Sequence, residues 1–209
     1  MTKKVKKALK IVLFLCQIIK KLDNSKEVDG IIIQLPIPDK YNIKILQQFI
    51  SPEKDVDGFR KDSLYNPCTP QGIIDWLEVN NIDLRGKLVT VLGRSDIVGK
   101  PLVNMLIDKG ATVISCNSKT EKYYMENFMK MSDIVISAIG KPKKFDSSYF
   151  GIDTIIIDVG INRDENGKLC GDIDQKDVED YFGNCCYVTP VPGGVGLLTR
   201  VTLLKNVMK

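Results

Sequence analysis

Four stretches of this chain carry residue types that can do chemistry. The first, VLGRSDIVGKP from Val91 to Pro101, lies where an apolar run gives way to a helical pattern. Gly93 permits a tight turn, Gly99 permits close approach of the helix, and a helix N-terminus presents N–H groups to a pyrophosphate. Ser95 stands where the dinucleotide fingerprint has its middle glycine, and the last glycine comes late. Such a turn alone is structural or nucleotide-binding; as the first turn of an alternating strand-helix pattern it favours a dinucleotide. The second stretch, CNSKT at 116–120, says which one. An NAD site places Asp or Glu about 20 residues on, against the ribose hydroxyls. Here no carboxylate occurs, while Ser118 and Lys119, with Arg94, can hydrogen-bond and neutralise a 2′-phosphate, which selects NADP. The plain alternative is a solvated Lys119 and a helix-capping Ser118. The third, SPEKDVDGF at 51–59, gathers three acids in one loop. It lacks the spacing of a calcium loop, so no metal is expected; it is a solvated loop, or it buries an Asp that accepts N–H donors from a planar heterocycle. The fourth, TPVPGGVG at 189–196, is a shaped turn of two prolines and three glycines, either a hinge or a surface for something flat.

Composition narrows the chemistry. The 209 residues contain no histidine, which removes Ser-His-Asp triads, His-ligated metals and His bases together. Six cysteines without a C-x-x-C pair read as reduced thiols of a cytosolic protein. Seven lysines and no acid fall in residues 1–21, leaving 23 basic against 26 acidic residues in the body. A slightly acidic body argues against nucleic acid as a partner. The apolar run Ile11–Ile19 is short of the roughly 20 residues a membrane span needs. Leu9, Val12, Cys16, Ile19 and Leu22 share one helical face, which predicts a core-facing amphipathic helix, a membrane-surface helix being the alternative.

These stretches need elements to position them. GIIIQLPI (30–37) reads as a buried strand, YNIKILQQFI as a helix, and TPQGIIDWLEVN as a helix with Thr69 as N-cap and Pro70 at its first position. Strand patterns at 88–93, 111–116, 133–140 and 154–161 alternate with helical ones near 100–109 and 121–131, and LLTRVTLLKNVMK closes as a helix. β-branched runs alternating with helices predict a doubly wound parallel sheet covered on both faces.

DGIIIQLPIP, PEKDVDGF, PCTPQGI, GRSDIVGKP, CNSKT, IDVGIN, GDID and TPVPGGVG, in this order, resemble the bifunctional 5,10-methylenetetrahydrofolate dehydrogenase / 5,10-methenyltetrahydrofolate cyclohydrolase family from about residue 22 onward. The resemblance implies an α/β protein: a Rossmann-type doubly wound parallel sheet domain at 81–196, and a shortened α/β folate-binding catalytic domain at 1–80 with the closing helix 197–209. In that family the two domains face each other across a cleft. By resemblance, Gln34 lies beside the reacting one-carbon unit and Asp57 recognises the pterin ring, with Ile33, Leu35, Pro192, Gly193 and Gly194 lining the substrate. The resemblance likewise implies that Gly93, Arg94, Ser95, Ser118 and Ile161 bind NADP. The partners it implies are one-carbon tetrahydrofolate derivatives and a second copy of the chain, in the cytoplasm, with no nucleic acid or membrane. The chain departs from the pattern where it lacks the family's Tyr-x-x-x-Lys motif, its first tyrosine being Tyr41, and the resemblance therefore implies an N-terminally truncated member. Asn117 stands for the usual His, and Leu197-Leu198 for Pro-Met. Dehydrogenation relies on positioning, whereas hydrolysis needs the missing lysine as proton carrier. The competing reading is a non-catalytic NADP-binding module; an unrelated NADP oxidoreductase leaves PCTP and KDVDGF unexplained.

Overall fold

The computed structural model describes the backbone of residues 3–38 and 41–209, with side chains from residue 11 onward. Two compact units divide the chain: residues 1–68 with 203–209, and residues 69–202.

In the first unit, α1 (Lys3–Asp23) turns Cys16 and Ile19, with Val12 and Leu15, onto Ile31, Leu46 and Ile50. Leu22 on the expected face is exposed, and the side chain of Leu9 lies outside the described residues. Lys54 donates from Nζ to the carbonyls of Asp23 and Ser25, both at 2.6 Å, placing a cation where the end of α1 favours one. α2 is shorter than its sequence pattern, Ile43–Gln47, with Asn42 Oδ1 accepting from the Lys44 N–H at 3.0 Å as its cap. The run 30–37 is not the buried strand its β-branched residues suggest. Its side chains alternate, Ile31 buried and Ile32 44% exposed, and Ile31 N–H donates to the Lys54 carbonyl at 2.8 Å. The backbone is thus extended and apolar on one side, but a strand requires a ladder, and among the described residues none forms here. Pro36 and Pro38 have no N–H to offer one.

The second unit is built on five parallel strands, β1 (Leu88–Leu92), β2 (Thr112–Cys116), β3 (Ile134–Ser137), β4 (Ile155–Asp158) and β7 (Tyr187–Val188), in the order β2-β1-β3-β4-β7. Between β4 and β7 a small antiparallel pair, β5 (Asn162–Arg163) and β6 (Leu169–Cys170), stands apart from the sheet. Helices α3 (Cys68–Val79), α4 (Gly99–Asp108), α5 (Lys122–Met131), α6 (Gln175–Phe182) and α7 (Val195–Val207) connect and cover the strands. α3 starts one residue before the expected Thr69 cap. The period-2 alternation of a strand sends Ile134 and Ile136 to one face, among Ile73, Leu77, Leu102 and Leu106, and Val135 to the other, among Met129, Phe145 and Val178. Both faces are therefore dry, the condition under which continuous apolar runs form a parallel sheet. Strands β3 and β4 end earlier than their apolar runs. After Ser137 the N–H groups of Ile139, Gly140 and Lys141 turn to a side chain, the carboxylate of Asp172, instead of to a neighbouring strand.

Ile136, fully buried in the first cluster, sets a test of this packing. Ile136→Ala is expected to lower unfolding free energy in urea by about 2–5 kcal/mol. Ile32→Ala, on the open side of the extended run, is expected to change it by roughly 0.5 kcal/mol or less.

Candidate functional site

Because all five strands run the same way, their C-terminal ends share one edge of the sheet. Strand order reverses about β1, which has β2 on one side and β3 on the other. A crevice beyond such a reversal is where open α/β sheets take ligands. Gly93 follows β1 with φ +111, its N–H donating to the Cys116 carbonyl at 2.9 Å, and a Cβ on it would stand 2.5 Å from the Ala138 carbonyl oxygen. A Cβ on Gly99 would collide with the Gly93 carbonyl. The first turn is therefore laid on the turn after β3 with no room for a side chain, leaving backbone as the crevice wall. Ser95 Oγ accepts from the N–H groups of Val98 (3.1 Å) and Gly99 (3.4 Å), so this hydroxyl shapes the start of α4. Arg94, Ser118 and Lys119 are exposed. Neither Arg94 nor Lys119 has an acidic partner among the described residues, whereas nearby Lys100 is paired with Asp96 at 2.6 Å. The turn after β2 is fastened by Asn117, whose Oδ1 accepts from Lys119 N–H at 2.9 Å and whose N–H donates to Thr120 Oγ1 at 3.0 Å.

The turns after β3, β4 and β6 meet on two buried carboxylates to which the sequence reading assigns no role. Asp172 accepts at Oδ2 from Ser137 Oγ (2.9 Å), Ile139 N–H (2.8 Å) and Gly140 N–H (3.3 Å), and at Oδ1 from Lys141 N–H and Asn162 Nδ2, both 2.9 Å. Asp158 accepts from the N–H groups of Gly160 (2.9 Å), Asp172 (3.0 Å) and Ile173 (2.8 Å), while its own N–H donates to Thr189 Oγ1 at 2.8 Å. Burial raises the Asp158 carboxyl to about 6, against the lowering effect of the Asp172 and Ile173 N–H groups. The signal is present in IDVGIN and GDID, each an Asp beside or near a Gly, but the pairing joins residues across a hairpin. Ile161, 70% exposed, follows β4, and Pro192, Gly193 and Gly194 follow β7 before α7 begins. Gly93, Arg94, Ser95, Ser118, Ile161 and Pro192–Gly194 are thus all brought to the carboxyl edge of one sheet.

The remaining candidates lie in the first unit. Gln34 is exposed, its Nε2 donating to the Leu35 carbonyl at 3.0 Å, and Ile33 and Leu35 are half-buried. Asp57 is half-buried, and burial, with the charge of Asp55, lifts its carboxyl to about 6. Asp55 itself is engaged by the Arg60 N–H at 2.8 Å. The loop is pinned at Val56, whose carbonyl accepts from Cys68 Sγ (3.3 Å) and Asn206 Nδ2 (2.9 Å). Burial and the Asp57 charge push the Cys68 thiol up to about 12, so it is no nucleophile. Among the described residues no group of three His, Cys, Asp or Glu side chains is placed to hold a metal ion, and no helix is long and apolar enough to cross a membrane.

The family model for the tetrahydrofolate dehydrogenase/cyclohydrolase NAD(P)-binding domain matches residues 67–209. The chain belongs to this family. The family's catalytic-domain model matches residues 5–57. A bifunctional protein FolD of Bacillus cereus is 43% identical over 200 residues, covering 91% of this chain and 68% of the relative. The crystal structure of the Campylobacter jejuni bifunctional methylenetetrahydrofolate dehydrogenase/cyclohydrolase superposes with TM-score 0.87 at 37% identity, covering 94% of this chain and 71% of that one. The Trypanosoma brucei enzyme, solved with NADP and an inhibitor, gives 0.83 at 31%, covering 93% and 70%. The fold is the Rossmann-type α/β fold of these dehydrogenase/cyclohydrolase structures.

Within this family member, Asp57 is the acidic loop's group whose charged form is disfavoured, a mark of functional positions. A carboxyl raised above its unfolded value of 3.8 to about 6 is protonated longest in the folded state. Its contribution to stability is therefore lost as pH rises from about 4 to about 6 and stays lost above. Asp57→Asn removes that loss. The variant is expected to exceed the parent in urea midpoint at pH 8 and to match it near pH 4, as pH-resolved denaturation will read.

Proposed function

We propose that this chain catalyses NADP-dependent oxidation of 5,10-methylenetetrahydrofolate to 5,10-methenyltetrahydrofolate. The observation that carries this reading is the pairing of a side-chain-free turn at the sheet's reversal with two uncompensated cations and no carboxylate after β2. Arg94 and Ser118, with Lys119, would hold the 2′-phosphate, Gly93 would let backbone approach the pyrophosphate, and Ser95 would keep the start of α4 open to it. Ile161 offers an apolar surface to the cofactor. Bound NADP supplies the hydride acceptor. In the folate-binding part, assigned to residues 1–80 and 197–209 with the cofactor part at 81–196, Asp57 accepts N–H donors of the pterin and Gln34 lies beside the one-carbon unit. Ile33 and Leu35 line the substrate there, and Pro192–Gly194 present bare backbone at the sheet edge of the cofactor part. The enzyme's work in this step is positioning. A homodimer and a cytoplasmic location belong to the same reading.

The second family reaction adds water to the methenyl carbon to give 10-formyltetrahydrofolate, and the proton released needs a carrier. The 209 residues hold no histidine. Lys54 is committed to two backbone carbonyls. On the engagement of Lys54 and the lack of histidine, the chain is proposed as a dehydrogenase with a weak hydrolytic step. The second reading is an NADP-binding module without catalysis, which the same cofactor edge would serve.

A paired assay separates them: NADP reduction with 5,10-methylenetetrahydrofolate, and decay of supplied 5,10-methenyltetrahydrofolate above the buffer rate. The expected result is NADPH formation with little hydrolysis. Silence in both with NADP still bound selects the binding module; full activity in both overturns the assignment of the hydrolytic defect. Arg94→Ala is expected to weaken NADP by about tenfold or more while leaving NAD affinity unchanged, since a charge-assisted phosphate contact contributes roughly 1.5–3 kcal/mol. Equal loss for both cofactors in calorimetric titration would remove Arg94 from the 2′-phosphate.

A further inference from the structure

Asp172 is fully buried and carries no ion pair among the described residues. Its five donors come from three places: the end of β3 (Ser137), the turn that follows (Ile139, Gly140, Lys141), and the first residue of β5 (Asn162), next to Ile161. The turn after β3 contains Ala138, whose carbonyl lies against Gly93. Asp172 is itself held by Asp158, which accepts its backbone N–H. Asp158 in turn fixes Gly160 and, through its own N–H, Thr189 at the head of the proline-glycine turn. A Cβ on Gly171 would collide with the Asp158 carboxylate, so the β5–β6 hairpin can deliver Asp172 only along a bare backbone.

A fully satisfied carboxylate among backbone N–H groups is rigid, because moving any one turn strands a buried charge short of a donor. We propose that Asp172 is a positioning residue for the cofactor site, holding the turn after β3 and the Ile161 segment in the geometry that accepts NADP. The proposal rests on the cofactor reading above. Asp172 touches no cofactor in it; it acts through Ile139–Lys141 and Asn162. It is distinct from a residue needed only for stability, because its donors lie at the end of β3, in the turn that follows and at the start of β5 and, Ile139 apart, belong to neither apolar cluster.

The test uses the whole chain and two variants. Asp172→Asn keeps the volume and puts an NH2 where one oxygen accepted. Asn162→Ala removes a single donor and leaves the backbone donors of Asp172 intact. NADPH affinity is read by fluorescence titration, and amide hydrogen exchange at residues 139–141 is read by NMR without cofactor. For folded Asp172→Asn, the expected result is roughly tenfold or more weaker NADPH binding and roughly tenfold faster exchange at those amides, with exchange in β1 and β3 unchanged, in line with loss of hydrogen bonds to a charged group. Asn162→Ala is expected to weaken NADPH about threefold to tenfold while the chain stays folded at a somewhat lower thermal midpoint. Parental affinity and exchange in folded Asp172→Asn would overturn the proposal. Should that variant not fold, parental affinity in Asn162→Ala overturns it and the expected loss supports it. A parent chain that fails to bind NADPH overturns the cofactor reading and the proposal's functional half, an outcome told apart by the exchange data, which need no cofactor.

Discussion

Two carboxylates buried without a cation govern the carboxyl edge of the second unit. A parallel sheet ends abruptly: past the last ladder pair, the strand's N–H and C=O groups need new partners, and burial keeps solvent from supplying them. Placing an ionised carboxylate in such surroundings costs several kcal/mol unless donors replace its hydration. Asp172 and Asp158 answer both needs at once. The orphaned N–H groups of the turns are the donors, and the carboxylates are their acceptors. The strands β3 and β4 are short for the same reason, since the chain leaves the sheet where a side chain becomes the better acceptor.

That constraint leaves the first turn free to be shaped by absence. Gly93 and Gly99 bring backbone against backbone, and Ser95 commits its hydroxyl to the start of α4. At its rim stand Arg94 and Lys119, which no acid neutralises among the described residues. An edge of bare backbone with cations at one end suits a flat, anionic ligand. In the first unit the available groups point the same way. Lys54 is tied to the end of α1, the Cys68 thiol is raised, and Asp57 is half-buried beside Asp55. Lys54 and Cys68 are thereby committed to bracing this unit, which is why hydride transfer and hydrolysis separate in the proposed function.

Much of this is legible in the residues. The β-branched runs between 88 and 161 and the helices between them follow from local periodicity, and both sides of the sheet are dry as those runs require. The lack of histidine excludes whole classes of catalysis on composition alone. The carboxyl-edge placement of Gly93, Ser118, Ile161 and Pro192 follows from each motif sitting directly after a strand pattern. Where the sequence misleads, the missing information is a distant partner. The run 30–37 has strand composition, but composition carries no knowledge of whether a neighbouring strand exists to pair with it. Ser95 at a fingerprint position does not announce that its oxygen faces Val98 and Gly99.

The sequence by itself therefore determined the fold class, the family motifs and the chemistry that is absent, because periodicity, turn residues and composition are properties of neighbouring positions. Tertiary structure alone decided that Asp158 and Asp172 are linked through shared turns, that Lys54 is engaged by Asp23 and Ser25, and that Asp57 titrates near 6. Each of these depends on burial and on hydrogen-bond partners that only the folded chain brings into range.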